Sequence, residues 1–359
     1  MESTAKPNGP LANGILSLIG FALIIVGLIY GRAFLVPIVT AMLILTLLRA
    51  MSSRLEAIGL PNLLATFGAI LVFIAVFFGI GLILSGQADA VGQAWPQYVS
   101  RFEVIATSMS AWAGPEVSER LRSALTELNL RNQVPALIGT AGGLVGYVVL
   151  TVLYVGFLLA GRGALSGRIE FIVENHEQAA RTRRILNDIS QGVRQYLWIK
   201  TIMSLLTALV SYIVLKFLQI DFAEIWTLLI FLLNFIPSIG SVLGVIFPAL
   251  LALVQFDTTW QFMVIAVALS AVQFFIGNVI EPAIMGRTLN LSPFVVIVSL
   301  SFWSMIWGVV GAFLSVPLTA AFVIALSHIP TYRWIAILLA DDINPNRSSS
   351  EAPQIQETS

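Results

Sequence analysis

Gln273, Asn278 and Glu281 are three side chains able to hold a polar solute, and they follow one another at steps of five and three late in the chain. The run around them is apolar. Pro282 comes immediately after, fixing its own φ and disfavouring helical geometry at Glu281, so a helix is expected to end or kink there. Asn234 stands just before Phe235-Ile236-Pro237-Ser238-Ile239-Gly240-Ser241. Pro237 removes a backbone donor, and Gly240 permits turns that other residues resist. An amide beside such a break can bond the freed peptide groups or a cargo. Other chemistries are excluded. There is no cysteine, which removes disulfides, thiolate metal ligands and thiol nucleophiles. His176 and His328 are far apart, and His176-Glu177 lacks the second histidine of a zinc-binding H-E-x-x-H. Neither a phosphate-binding G-x-x-x-x-G-K-[ST] nor an obvious Ser–His pairing is present, so no enzyme, cofactor or intrinsic ATPase is expected. The net charge is zero, which argues against a nucleic-acid partner.

The elements that must position these groups are set by composition. The chain has 359 residues, of which 58% are hydrophobic and 11% charged. A soluble domain is ~25% charged, and this chain could not cover a folded surface with polar groups. An all-α integral membrane protein is the reading, since each span needs ~20 apolar residues. Apolar runs fall at 13–30, 33–48, 62–85, 136–160, 197–218, 223–237, 240–254, 258–279, 293–308 and 309–328. The first is long for a signal-peptide core and no small-x-small cleavage site follows it, so it is expected to remain as a span.

Two polar blocks interrupt the runs. Block 86–135 has a net charge of −1 and 161–200 of +3. Lys and Arg are retained on the cytoplasmic side, which places 161–200, the 1–12 tail and the C-terminus inside and 86–135 outside. Arg32 and Lys216 run against this orientation. Both blocks carry apolar stripes at helical spacing, Trp95 to Met109 and Val117 to Leu128 in the first, Ile169 to Val193 in the second. Domains are therefore expected as N-terminal spans 13–85, an external helical segment 86–135, a span 136–160, a basic cytoplasmic helix 161–196, a transport core 197–330 and a mostly disordered cytoplasmic tail 331–359.

Within the core, two pairs of short apolar runs are broken in the middle. The pair 222–254 breaks at Pro237–Ser241 and carries Pro248; the pair 293–328 breaks at Gly308 to Gly311 and carries Pro317. Legs of 14 to 16 residues span a bilayer poorly, so re-entrant hairpins are expected over full crossings, which the charges do not separate. Broken backbone in hydrocarbon survives only where protein or a water-filled cavity satisfies it, and such breaks are where secondary transporters bind substrate and ions. Candidate substrate or ion contacts are thus Asn234, Pro237, Ser238, Gly240, Ser241, Gln273, Asn278, Glu281 and Arg287. Pro248, Pro282, Gly308, Gly311 and Pro317 are candidate structural breaks. For Glu281, an ordinary interfacial pair with Arg287 competes with a role in transport. Asp221, Glu224 and Asp257 read as span-end residues.

The stretch Asn234-Phe235-Ile236-Pro237-Ser238-Ile239-Gly240 resembles a signature of the autoinducer-2 exporter family of bacterial permeases. Gly277-Asn278-Val279-Ile280-Glu281-Pro282 with Met285-Gly286-Arg287-Thr288-Leu289-Asn290-Leu291-Ser292-Pro293, and Trp307-Gly308-Val309-Val310-Gly311-Ala312-Phe313-Leu314-Ser315-Val316-Pro317-Leu318, complete the likeness, which is strong over 190–330. The resemblance implies a secondary transporter of the bacterial inner membrane with about eight spans, assembled as a homo-oligomer. Some members are associated with autoinducer-2 export and others with Na⁺/H⁺ antiport. Ser238 departs from the Tyr that many members have after the proline. Three readings follow: export of a small polar organic solute such as autoinducer-2, Na⁺(Li⁺)/H⁺ antiport with Glu281 titrating, and a non-transporting membrane scaffold or partner subunit.

Overall fold

A computed structural model describes residues 10–113, 116, 123, 146–159, 176–285 and 289–341. The described residues form helices and no strand. They are α1 (Pro10–Tyr30), α2 (Arg32–Ala57), α3 (Asn62–Ala113), α4 (Gly146–Leu159), α5 (His176–Phe217), α6 (Ala223–Leu233), α7 (Ile239–Gln255) and α8 (Trp260–Phe275). A π-helical turn, Ile276–Ile280, joins α8 to α9 (Glu281–Met285). Then come α10 (Pro293–Ser327) and α11 (Arg333–Leu339).

The chain is an all-α membrane protein. Five of the described stretches are long and apolar enough to cross a bilayer, among them Arg32–Ala57, Glu177–Phe217 and Trp260–Met285. Phe67, Leu71, Ile74 and Phe78 of α3 turn outward, and exposure at this scale on one face marks a surface for lipid. Lipid tails are as apolar as leucine, so helices here are held by close packing and polar contacts rather than by escape from water.

Two helices run through boundaries where the sequence changes character. α3 continues unbroken from its apolar run into the 86–113 stripe. The change near 85 is one of surface and not of backbone. α5 likewise carries the basic stretch straight into the apolar one, so the expected division at 196/197 falls inside a single 42-residue helix. The stretch expected as a tail from 331 holds a short helix: α11 packs Ala336, Ile335 and Leu339 against Val323 and Leu326 of α10.

The core is built from two helical hairpins set along α5. In the first, α6 and α7 fold back on each other through Asn234–Ser238, and Trp226 stacks on Phe247 across the legs. Its open end lies beside the C-terminal end of α5, where Lys216 pairs with Glu224. Gln255 ties the two ends together: its Oε1 accepts the Asp221 N–H at 2.9 Å and its Nε2 donates to the Gln219 carbonyl at 2.7 Å.

The second hairpin is α10. Trp303 Nε1 donates to Thr319 Oγ1 at 3.1 Å, although a straight helix would hold residues 16 apart at about 24 Å. The chain reverses at Gly308, the one non-helical residue within the element, at φ 63°, ψ −143°. The open end of this hairpin lies against the other half of α5, where His328 Nε2 is 3.1 Å from Asp188 Oδ2. Val193, Tyr196 and Leu197 of α5 pack on Val316 there. The hairpins therefore approach from opposite ends of α5, and their tips meet. Ile236 and Leu233 pack against Leu300, Ala312 and Phe313, with the Phe235 and Phe313 rings 6.4 Å apart.

Both tips use one device. A Cβ on Gly240 would sit 1.8 Å from the Leu233 carbonyl oxygen, and one on Gly311 would sit 1.9 Å from that of Trp303. Only glycine lets the returning leg cross so close to the outgoing one.

Candidate functional site

A cavity of about 490 Å³ lies between α5, the tip of the first hairpin and the end of α8. Asn234, Pro237, Ser238, Ser241, Gln273, Asn278 and Glu281 all line it, with Lys200, Ser270, Phe274 and Gly277. Its size is that of a small-molecule site, typically ~300–1,000 Å³. The wall is mixed: five amide or charged groups and three hydroxyls face Ile236, Val242 and Phe274.

Local backbone explains why these groups converge. Ile239 N–H donates to the Pro237 carbonyl at 2.6 Å, closing a three-residue turn around Ser238, whose φ is 61° and ψ −51°. This is the γ-turn that L residues adopt rarely and at a cost. Strain of this kind concentrates at functional positions. The turn swings Ser238 and Ser241 onto the cavity wall, while Gly240 packs behind them against Leu233.

On the opposite wall the π-turn does the aiming. Residues five apart in an α-helix are rotated by about 140° and face different ways. Here Glu281 N–H reaches back to the Ile276 carbonyl, five residues away, and the wider turn brings Gln273, Asn278 and Glu281 to one face. Pro282 sits just beyond, where its missing N–H makes the regular ladder incomplete. The break expected at Glu281 is thus a π-bulge that continues into α9 rather than a helix end. Such bulges recur at functional sites.

Asn234 is buried and its Nδ2 donates to Ser204 Oγ of α5 at 3.0 Å. Gln273 is buried against Gly244, where an added Cβ would meet its Nε2 at 3.1 Å. Lys200 Nζ and Glu281 Oε1 form an ion pair at 2.6 Å, with side chains 10% and 16% exposed. Two such charges so far from bulk water need each other, because either left alone is strongly disfavoured. Arg287, the partner considered from sequence, lies outside the described residues. Gly308, Gly311 and Pro317 belong to the second hairpin, away from this cavity, and Pro248 is buried within α7.

Sequence reasoning passed over Lys200, Ser204 and Ser270. Lys200 was counted only as the last cation of a basic block. The signal that finds it is its spacing: Lys200, Ser204, Thr207 and Ser211 recur at steps of four, three and four, one polar stripe on an otherwise apolar helix.

Comparison with known proteins agrees with a transport architecture. Residues 18–331 match the family model described as AI-2E family transporter. A putative transport protein of Haemophilus influenzae is 32% identical over 316 residues, covering 86% of this chain and 89% of its own length. The AI-2 transport protein TqsA of Escherichia coli is 31% identical over 338 residues, 91% of this chain and 95% of that protein. The putative transport protein YrrI of Bacillus subtilis is 20% identical over 313 residues.

Proposed function

Since the chain belongs to the AI-2E family of transporters and is a multi-pass membrane transporter, we propose that it moves a small polar organic solute through the cavity between α5, the first hairpin's tip and the end of α8, down a gradient. The observation that carries this reading is the polar lining itself. Amides, hydroxyls and a Lys–Glu pair surround about 490 Å³ of space beside the tip of the first hairpin, among helices apolar enough to cross a membrane. Exposed polar groups at that depth are costly, and they persist where they bind cargo or water. Neutral donors and acceptors suit a hydroxylated solute, and Phe274 and Ile236 suit its carbon skeleton. AI-2 is the first solute to try, because a relative is named for its transport.

The hairpin geometry supports re-entrant insertion. α6 has 11 residues and reaches about 16 Å, roughly half of a ~30 Å hydrocarbon core. Opposed hairpins whose tips meet at Ile236, which also lines the cavity, are suited to alternating access, each tip closing one route. The same reading puts the N- and C-termini in the cytoplasm and the α3 extension outside, in a bacterial inner membrane, and the cations at the start of α5 support it, since such charges are retained on the cytoplasmic side. Assembly as a homo-oligomer is part of the same reading.

Counterflow in proteoliposomes tests it. Vesicles preloaded with unlabelled AI-2 should accumulate labelled AI-2 well above empty liposomes. Ser241→Trp, which fills the cavity, should abolish this. Absence of counterflow from monodisperse, folded protein across a panel of small polyols and sugars sinks the proposal. A second reading, Na⁺(Li⁺)/H⁺ antiport with Glu281 titrating, draws on the buried Lys200–Glu281 pair. It requires cation-dependent proton movement without solute, lost in Glu281→Gln.

A further inference from the structure

The polar stripe of α5 does not stop at the cavity. Lys200, Ser204, Thr207 and Ser211 are 8%, 0%, 1% and 0% exposed, so the whole face is sealed inside the protein. Lys200 holds Glu281 and Ser204 holds Asn234. Thr207 donates to the Met203 carbonyl at 2.8 Å. Ser211 Oγ is buried with no hydrogen-bond partner, and so is Thr227 Oγ1 of α6. α5 and α6 run antiparallel, with Ser204 opposite Asn234 at one level and Tyr212 and Lys216 opposite Glu224 at another. The same register sets Ser211 opposite Thr227. Two unsatisfied hydroxyls at one level of a buried helix interface are disfavoured, and each seeks at least one further partner. A single water held between them is the smallest group that satisfies both.

We propose that this stripe is a proton path joining the Glu224 end of α5 to the Lys200–Glu281 pair, its successive hydroxyls, about 5–6 Å apart on the helix face, being bridged by single waters, one of them held between Ser211 and Thr227. The inference rests on the cavity being the transport site. No wide opening is needed, since a proton passes between hydroxyls and single waters. Each hydroxyl gives its proton forward and takes one from behind, so the O–H bonds along the stripe are conserved; Thr207 must rotate off Met203 to take part. The net event is that a proton entering beside Glu224 ends on the Glu281 carboxylate. Lys200 then loses its counter-charge and is free to hold cargo. The charged and titratable groups that face the two ends are Lys200 and Tyr196 of α5 at Glu281. At Glu224 they are Lys216 and Tyr212 of α5, beside Gln87 of α3.

The test uses the full chain in proteoliposomes loaded with a pH dye, with two readouts. Labelled AI-2 counterflow at equal pH reports the cavity alone. The pH change driven by an imposed AI-2 gradient reports the path. In Ser211→Ala/Thr227→Val, counterflow should stay within twofold of wild type while the driven pH change falls at least tenfold. Thr227→Ser, which keeps a hydroxyl, should retain it and shows that loss is not misfolding. An unchanged pH signal in the double variant overturns the path, as does counterflow in wild type with no driven pH change. Absence of wild-type counterflow overturns the cavity reading first, and the path with it.

Discussion

Glu281 and Lys200 hold opposite charges 2.6 Å apart inside a cavity wall, and the cost of separating them can be measured. Removing one partner of a fully buried pair costs about 3–5 kcal/mol, because the survivor is left without compensation. Water in the cavity softens this, so Glu281→Gln and Lys200→Met should each destabilise by roughly 1–3 kcal/mol. The double variant should be less destabilised than the two single effects together, as expected of coupled neighbours. Thermal unfolding in detergent checks the cycle, and full additivity would show that the charges do not stabilise each other. Ser238 makes the opposite case. Its γ-turn at φ 61° is strained for any L side chain, and glycine adopts it without that cost. Ser238→Gly should therefore leave stability unchanged or raise it by up to ~1 kcal/mol, whereas Gly240→Ala should unfold the tip, since its Cβ would lie 1.8 Å from the Leu233 oxygen. Comparison of the two melting points separates strain from crowding.

At the scale of elements, the far end of α3 acts as an arm over the first hairpin. Gln87 Nε2 donates to Glu224 Oε2 at 3.1 Å, the Tyr98 hydroxyl donates to Asp221 Oδ2 at 2.5 Å, and Arg101 pairs with Asp257. The arm thus grips both ends of α6–α7. Burial, and then the Asp221 carboxylate beside it, push the Tyr98 phenol above its usual value. A folded-state value raised above the unfolded one means that this contact stabilises fully below about pH 10 and is lost as the phenol ionises at higher pH. Unfolding temperatures between roughly pH 9 and pH 12 should fall more steeply for wild type than for Tyr98→Phe; parallel curves would show that the bond does not anchor the arm. Only the helical stripe of this arm was legible beforehand. An amphipathic stripe announces a helix that packs on something, but not that it continues from the preceding span without a break. The candidate site was more legible: Asn234, Asn278 and Glu281 interrupt an apolar background, and prolines mark the breaks. Lys200 was hidden because a lysine at the edge of a basic block looks like one reaching for the interface.

Across the whole molecule, the main consequence is that two hairpins approach from opposite ends of α5 and meet tip to tip, which no run of residues announces. Within lipid there is no hydrophobic period to say which helix faces which, so pairing is decided by glycine crossings, stacked rings and a few polar bonds. Because the chain contains no cysteine, single introduced cysteines report the arrangement cleanly. Thr258 lies at the open end of the first hairpin and Ser327 at that of the second, both exposed. With the hairpins inserted from opposite faces, Thr258→Cys and Ser327→Cys should react with an impermeant maleimide from opposite sides of oriented vesicles. Ser241→Cys, on the cavity wall near the first tip, should react slowly and be protected when solute is added. If each leg instead crossed the bilayer completely, the first tip would emerge on the face that carries Ser327. Ser241→Cys would then label rapidly from that side, with solute making no difference. Rapid, unprotected labelling would remove the chamber beside the first tip, and with it the physical basis for placing cargo beside Asn234, Asn278 and Glu281.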